Sequence, residues 1–263
     1  MNSPRISASS YSNTAPLVWS FLYGKGRGTA ELIMDTAPAR SAELLAQDRV
    51  DAALVPVIAY QMIDGVRVVP DVCVGARERV RSVCLVTRGC ELADVRTVSL
   101  DVSSRTSVVL TKLIFREFLG FEPAWSDAAP DVESMLADSD AALLIGDPAL
   151  RLSAAGPGRK AYDLAELWHD HTGLGFVFAM WMTRRSSVPI DLAAARDEGI
   201  ARIDEISANY SSDTGLSRSE MTEYLTSNIS YSVDDKMRAG LELYFRLAAK
   251  HGLIAENRSL NFV

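Results

Sequence analysis

The 263-residue chain is 48% hydrophobic and 23% charged, enough apolar material for one large or two modest domains of a soluble globular protein. A formal net charge of −7 argues against a general nucleic-acid surface, which needs a basic patch, so any anionic ligand must be captured locally. No run approaches the ~20 apolar residues of a membrane span. The opening MNSPRISASS lacks a basic segment followed by an apolar one, so a cytoplasmic location is expected. Cys73, Cys84 and Cys90 are an odd count without metal-ligand spacing and read as reduced thiols, with Cys84 and Cys90 serving strand packing.

In chain order, Arg5 to Ser10 reads as a strand. SYSNTAP, Ser10 to Pro16, turns it into a helix carrying Leu17 and Phe21, with Asn13 as N-cap and Pro16 in the first turn. GKGRG at Gly24 to Gly28 follows that helix and lacks the strand-turn-helix context of a phosphate loop. A strand at Glu31 to Met34, a helix from Pro38 to Gln47 and the apolar run DAALVPV, Asp51 to Val57, complete a βαβαβ order. The last run suits a strand buried on both faces. Val80 to Thr87 reads as a strand leaving this unit, with Ser82 available to a cleft.

The order then repeats. Thr97 to Leu100 is a strand, followed by a helix whose apolar positions Leu110, Leu113, Ile114 and Phe118 share one face; a strand near Ala124 to Ser126, a helix from Val132 to Asp138 and DAALLIGD, Asp140 to Asp147, complete it. DAAL opens the third strand of each unit, and the helices before it, SAELLAQ and VESMLAD, occupy matching places, so two similar α/β units are expected. SAAGPGR at Ser153 to Arg159 is a loop and Leu164 to His169 a short helix. Gly175 to Thr183 reads as a strand returning to the first lobe, so that two crossings make a hinge. The remainder is helical: one helix opened by Pro189, one from Ser217 to Ser227, and a last one with a capping-box pattern at Ser232 to Asp235 and a Met237, Leu241, Tyr244, Phe245, Ala248 core face. The expected lobes are 1–88 with 184–263, and 89–183.

SLDVSSRTS, Ser99 to Ser107, concentrates the chemistry. A strand ends at Asp101, and Ser103, Ser104, Arg105, Thr106 and Ser107 crowd the start of the next helix. Free backbone N–H groups and the helix dipole there suit an anion, best a carboxylate, at ~1.5–3 kcal/mol per charge-assisted hydrogen bond. The plainer alternative is an N-cap by Ser103 or Ser104, with Arg105 solvated or paired to Asp101. Ligands of open α/β sheets lie beyond the carboxyl ends of the strands, which here adds Ser10 to Thr14, Pro56, Gly146 and Asp147. Asp147 could face a ligand or cap the turn that follows it. His169 and His171 point to different faces of a short helix and read as a solvated loop, and His251 as a helix C-terminal cation. Nucleophile-elbow, dinucleotide and triad patterns are absent. From the residues alone, the reading is a two-lobed binder of a small carboxylate.

SYSNTAPL, DAALVPV, RSVCLVT, LDVSSRTSVVL, DAALLIGDPAL, YDLAELW and TGLGFVFAMW, in this order, resemble the chorismate dehydratase family of the futalosine route to menaquinone. The resemblance runs from Arg5 to Trp181, with a looser match at AGLELYF. It implies a two-lobed α/β fold like that of type II periplasmic solute-binding proteins, with two βαβαβ units, a double crossover hinge and C-terminal helices. It departs at Gly175, where the family pattern leads to an expectation of proline. It also implies loss of water from chorismate to give 3-[(1-carboxyvinyl)oxy]benzoate, without a cofactor or metal. Expected catalytic residues are Asn13 and Ser82; expected substrate contacts are Tyr11, Ser12, Thr14, Val83, Ser103, Ser104, Arg105, Thr106, Ser107, Gly146 and Asp147. No histidine or lysine base is offered by the matched motifs. The expected proton acceptor is therefore a carboxylate of the substrate's own enolpyruvyl arm, with Asp147 as the competing base. The implied partner is chorismate, not nucleic acid or membrane; a homodimer stays open. Rival readings are a non-catalytic carboxylate-binding or sensor protein of this fold, for which an export signal or a DNA-binding segment would be expected, and the sister naphthoate-forming enzyme, for which a histidine base would.

Overall fold

The computed structural model describes residues 3–152 and 158–263. Two five-stranded sheets are built on one plan, with strand orders β2-β1-β3-β10-β4 and β7-β6-β8-β5-β9. In the first sheet these are β1 (Arg5–Ser9), β2 (Glu31–Asp35), β3 (Ala52–Pro56), β4 (Arg67–Ala76) and β10 (Phe176–Thr183). In the second they are β5 (Val83–Thr87), β6 (Thr97–Asp101), β7 (Ala124–Ala128), β8 (Ala141–Ile145) and β9 (Lys160–Asp163). Each central triplet is parallel, with β1 between β2 and β3 and β6 between β7 and β8. Helices α1 (Ala15–Tyr23) and α2 (Pro38–Ala46) connect the first triplet, α4 (Thr106–Leu113) and α5 (Val132–Asp138) the second. The repeat legible in the sequence is thus a repeat in space.

The two DAAL segments explain their shared aspartate. Asp51 accepts from the backbone N–H of Arg5 at 2.8 Å, and Asp140 from those of Arg96 and Thr97 at 2.9 and 3.0 Å. Each carboxylate fastens the start of its unit's third strand to the start of the first. Every residue of β3, β5 and β8 is buried, as continuous apolar runs covered on both faces require.

The strand exchange differs from the expected lobe boundaries. β5 pairs with β8 and β9, and β10 with β3 and β4. The strand at 83–87 therefore belongs to the second sheet and that at 176–183 to the first; boundaries at 88 and 183 each fall one strand too late. Ladder pairing decides this, and an apolar run alone does not reveal its partner. The first crossing, residues 77–82, is held by Asp163, whose Oδ2 accepts from the N–H groups of Val80 and Arg81 at 3.0 and 2.6 Å. The second passes Gly175, where a Cβ would lie 2.6 Å from Met237 and 3.0 Å from the Ala76 carbonyl oxygen. The departure from proline thus coincides with close packing of the last helix.

Helices α8 (Leu192–Ile200), α9 (Ile203–Thr214), α10 (Arg218–Glu223) and α11 (Asp235–Lys250) complete the chain. One apolar core runs through both halves. Its aromatic part lies at the second crossing, where Phe176 meets Trp168 at 5.4 Å and Tyr244 at 5.0 Å, edge to face.

Several local expectations change. Asp234, not Ser232, caps α11 by accepting from the Met237 N–H, while a reciprocal capping box occurs at Ser217 and Glu220. The run expected as one helix from Pro189 breaks into α8 and α9. β4 and β9 escaped the sequence reading; β4 contains Pro70 and Asp71, the latter with φ of 56°, which interrupt its alternation. The loop expected at Ser153 to Arg159 lies, as far as residue 157, outside the described residues.

Candidate active site

Between the facing strand ends lies a small, partly enclosed cavity with a mostly apolar lining. Polar groups come from the turns after β1, β6 and β8: Ser9, Tyr11, Asn13 and Thr14; Ser104, Thr106 and Ser107; and Gly146. The walls are Leu54, Pro56, Val74, Val80, Val83, Ile145, Phe178 and Ala179, with Pro38 at the start of α2. Such a chamber can grip a small ring between apolar faces and direct donors at its acidic substituents.

After β1 the chain makes a 3₁₀ turn, Ser12–Thr14, before α1, so Asn13 does not cap the helix as expected. Instead the Thr14 hydroxyl lies 2.9 Å from the Ser9 hydroxyl and within 3.3 Å of Asn13 Oδ1, and this tethers the amide at the cavity wall. After β6, Asp101 Oδ1 accepts from the Ser103 N–H at 2.8 Å and hydroxyl at 2.6 Å, while the Ser104 N–H donates to the Asp101 carbonyl at 3.1 Å. These bonds hold the turn so that α4 starts at Thr106, with no side-chain cap from Ser103 or Ser104. The first N–H groups of α4 lack intrahelical acceptors and form a site suited to an anion.

The two halves also touch directly. Asp147 accepts from the Ser12 N–H at 3.1 Å and hydroxyl at 2.5 Å, and the Ala39 N–H donates to the Ser103 carbonyl at 3.3 Å. Arg105 Nη2 meets Glu43 Oε1 at 3.4 Å. Burial pushes the Asp147 carboxyl above its ordinary pKa, against the lowering effect of the Ser12 hydrogen bonds. Burial likewise raises Asp101, against the bonds from Ser103, and raises the Tyr11 phenol, with Asp101 and Asp147 adding to the rise and a Ser103 hydrogen bond opposing it. The Tyr11 ring lies against Gly146, where φ is 64° and a Cβ would come within 2.7 Å of the ring.

Of the expected site residues, Tyr11, Asn13, Thr14, Val83, Ser104, Thr106, Ser107 and Gly146 converge on the cavity; Ser12, Ser82, Ser103, Arg105 and Asp147 do not line it. Asp101 is not paired to Arg105. Ser82 occupies the first crossing, where its carbonyl accepts from the Gly146 N–H at 2.7 Å and its hydroxyl is buried without a hydrogen-bond partner. Sequence reasoning missed Phe178 and Val74, because strand pairing alone turns them inward. His169 Nδ1 lies 3.3 Å from the Leu174 carbonyl oxygen, and His171 stacks on Phe118 at 4.4 Å. Among the described residues, no group of three or more His, Cys, Asp or Glu side chains could hold a metal ion.

A family model described as menaquinone biosynthesis matches residues 4–250. The chain belongs to this menaquinone biosynthesis family. A chorismate dehydratase from Thermus thermophilus is 32% identical over 255 residues, which cover 89% of this chain and 91% of that relative. In fold, this family member is similar to protein AF1704 from Archaeoglobus fulgidus, with a TM-score of 0.76 at 18% identity over 95% of this chain and 98% of that one. It is also similar to the Candida albicans CA3427 gene product, described as having the generic periplasmic binding protein fold, with a TM-score of 0.68 at 14% identity over 98% and 92% of the two chains. The periplasmic aliphatic sulphonate binding protein SsuA of Escherichia coli gives 0.65 at 14% identity over 99% and 93%. The expected two-lobed, binding-protein-like α/β architecture is therefore the architecture of this chain.

Proposed function

We propose that this protein is a chorismate dehydratase, a hydro-lyase of menaquinone biosynthesis that forms 3-[(1-carboxyvinyl)oxy]benzoate and water from chorismate. The observation that carries the reading is the end-to-end similarity to the Thermus thermophilus chorismate dehydratase, at 32% identity over 89% of this chain. The cavity supports it in kind, since its apolar walls suit a six-membered ring and its hydroxyl-rich turns suit carboxylates. A cytoplasmic location accords with such a biosynthetic role. The reading is the same for a monomer and for a homodimer.

In this proposal the start of α4, with the hydroxyls of Ser104, Thr106 and Ser107, binds one carboxylate, and the neighbouring Arg105 adds positive charge. Asn13 and Thr14 orient the second carboxylate and the departing ring hydroxyl, supported by Ser82. The ring C–H bond breaks as the enolpyruvyl carboxylate takes its proton; the released electron pair completes the aromatic ring as the C–O bond breaks, and the carboxylate gives that proton to the departing hydroxyl, which leaves as water. Holding the carboxylate against that C–H bond is an orientation effect, and fixed donors stabilise the developing charge. Asp147 acts as a strut because Ser12 already occupies it.

Incubation of the purified protein with chorismate should deplete the diene absorbance and yield the benzoate product in equal amount. Binding without turnover would instead favour a carrier or sensor of the same fold.

A further inference from the structure

Tyr224 is absent from every motif discussed above, yet it lies next to the two residues assigned to catalysis. α10 does not end at Glu223 but continues as a π-helical turn, Tyr224–Asn228. Such turns re-aim side chains and are frequent at functional sites. Here the turn sends Tyr224 into the interior, where it is wholly buried. Its hydroxyl faces the side chains of Ser82 and Asn13, with the charge of Asp147 nearby. Burial raises its pKa far above the neutral range, against the opposing influence of Ser82 and Asn13, so it stays protonated and presents its oxygen to those two groups as an acceptor.

The hydroxyls of Tyr224 and Ser82 are both buried, and neither has a hydrogen-bond partner of good geometry. Phenylalanine would fill the same space without the desolvation penalty of an unused hydroxyl. The oxygen is therefore explained by what lies beside it rather than by packing. The segments that meet here are the turn after β1, the first crossing and the C-terminal helices, brought together only by the fold.

We propose that Tyr224 is a positioning residue of this site, its hydroxyl holding the Asn13 amide and the Ser82 hydroxyl in the orientation that the elimination requires. The Asn13 carbonyl oxygen then accepts from Thr14 on one side, while its amide N–H and the Ser82 hydroxyl face the Tyr224 oxygen on the other. Tyr224 itself does not line the cavity, so it acts through Asn13 and Ser82. The assignment rests on the dehydratase reading given above.

The test is steady-state turnover of chorismate and thermal unfolding for the unaltered protein and for Tyr224→Phe, Ser82→Ala, the double variant and Asn13→Ala. Tyr224→Phe should lower kcat about tenfold or more with KM unchanged and Tm unchanged or higher. Its effect should also be strongly non-additive with that of Ser82→Ala. A merely structural hydroxyl would lower Tm and leave the kinetics of the folded protein alone. Near-normal kinetics in Tyr224→Phe beside an inactive Asn13→Ala, an effect on KM alone, or full additivity would overturn the role of Tyr224 and leave the dehydratase reading intact. Failure of the unaltered protein to convert chorismate, or full activity of Asn13→Ala, would overturn the underlying reading and this assignment with it.

Discussion

Asp147 follows the carboxyl end of β8, and Arg105 immediately precedes α4. Asp147 offers a carboxylate at a strand end, the usual place for a base, but its acceptor capacity goes to the Ser12 N–H and hydroxyl. Asparagine can accept the same bonds through its amide oxygen, so Asp147→Asn should keep turnover within about tenfold, whereas removal of a general base costs ~10²–10⁴-fold. Steady-state kinetics with a binding measurement separates the two. Stability adds a sign. Because burial raises the folded pKa of Asp147, its neutral form is favoured in the fold. That contribution is present below the ordinary carboxylate pKa and is lost as pH rises through the folded value. Tm of Asp147→Asn relative to the unaltered protein should therefore climb as pH rises from about 4 to 7; a flat or falling difference would contradict the buried-carboxylate account. Arg105 carries the positive charge nearest the start of α4, but its ion pair with Glu43 is exposed, of the kind that contributes about 0–1 kcal/mol.

At the scale of elements, the site is a meeting of strand-to-helix turns, and the turn from β8 into α6 (Gly146–Arg151) is the least tolerant of them. Gly146 combines a left-handed φ of 64° with the Tyr11 ring where a side chain would go, so alanine there meets both backbone strain and a clash. Gly146→Ala should destabilise the protein by about 1–3 kcal/mol and raise KM for chorismate by displacing Tyr11 from the cavity. Denaturant unfolding and steady-state kinetics would show this, and an unchanged KM would mean that Tyr11 is not a substrate contact. The turn after β6 is sturdier, because Asp101 takes both the N–H and the hydroxyl of Ser103.

For the whole molecule, two sheets that exchange a strand each are joined by crossings at 77–82 and 173–175, and they touch across the cavity through Ser12 with Asp147 and Ala39 with Ser103. In the proposed reaction, opening for the substrate parts those contacts and flexes the crossings. Binding of the benzoate product should therefore slow amide hydrogen exchange in both halves at once, at 11–14, 101–107 and 145–148. Protection confined to one half would argue against closure. On the opposite side, Glu117 joins Lys250 at 2.7 Å and His251 at 2.6 Å, tying the second half to the end of α11 and favouring hinge motion over separation.

The amino-acid sequence by itself determined the repeated βαβαβ units, the two turns SYSNTAP and SLDVSSRTS, and the family. These are legible because apolar runs of strand length, helix-starting polar clusters and short ordered motifs are properties of adjacent residues. The DAAL aspartates were visible as a repeat, although their use as staples was not. Only the tertiary structure decided which sheet receives β5 and β10, because ladder partners are chosen by long-range pairing. Tertiary packing likewise turned Arg105 to Glu43 and Asp147 to Ser12, and brought Phe178 and Val74 to the cavity wall. It also set Tyr224 against Asn13 and Ser82. Each of those placements depends on contacts between residues far apart in the chain, and local periodicity carries no record of such contacts.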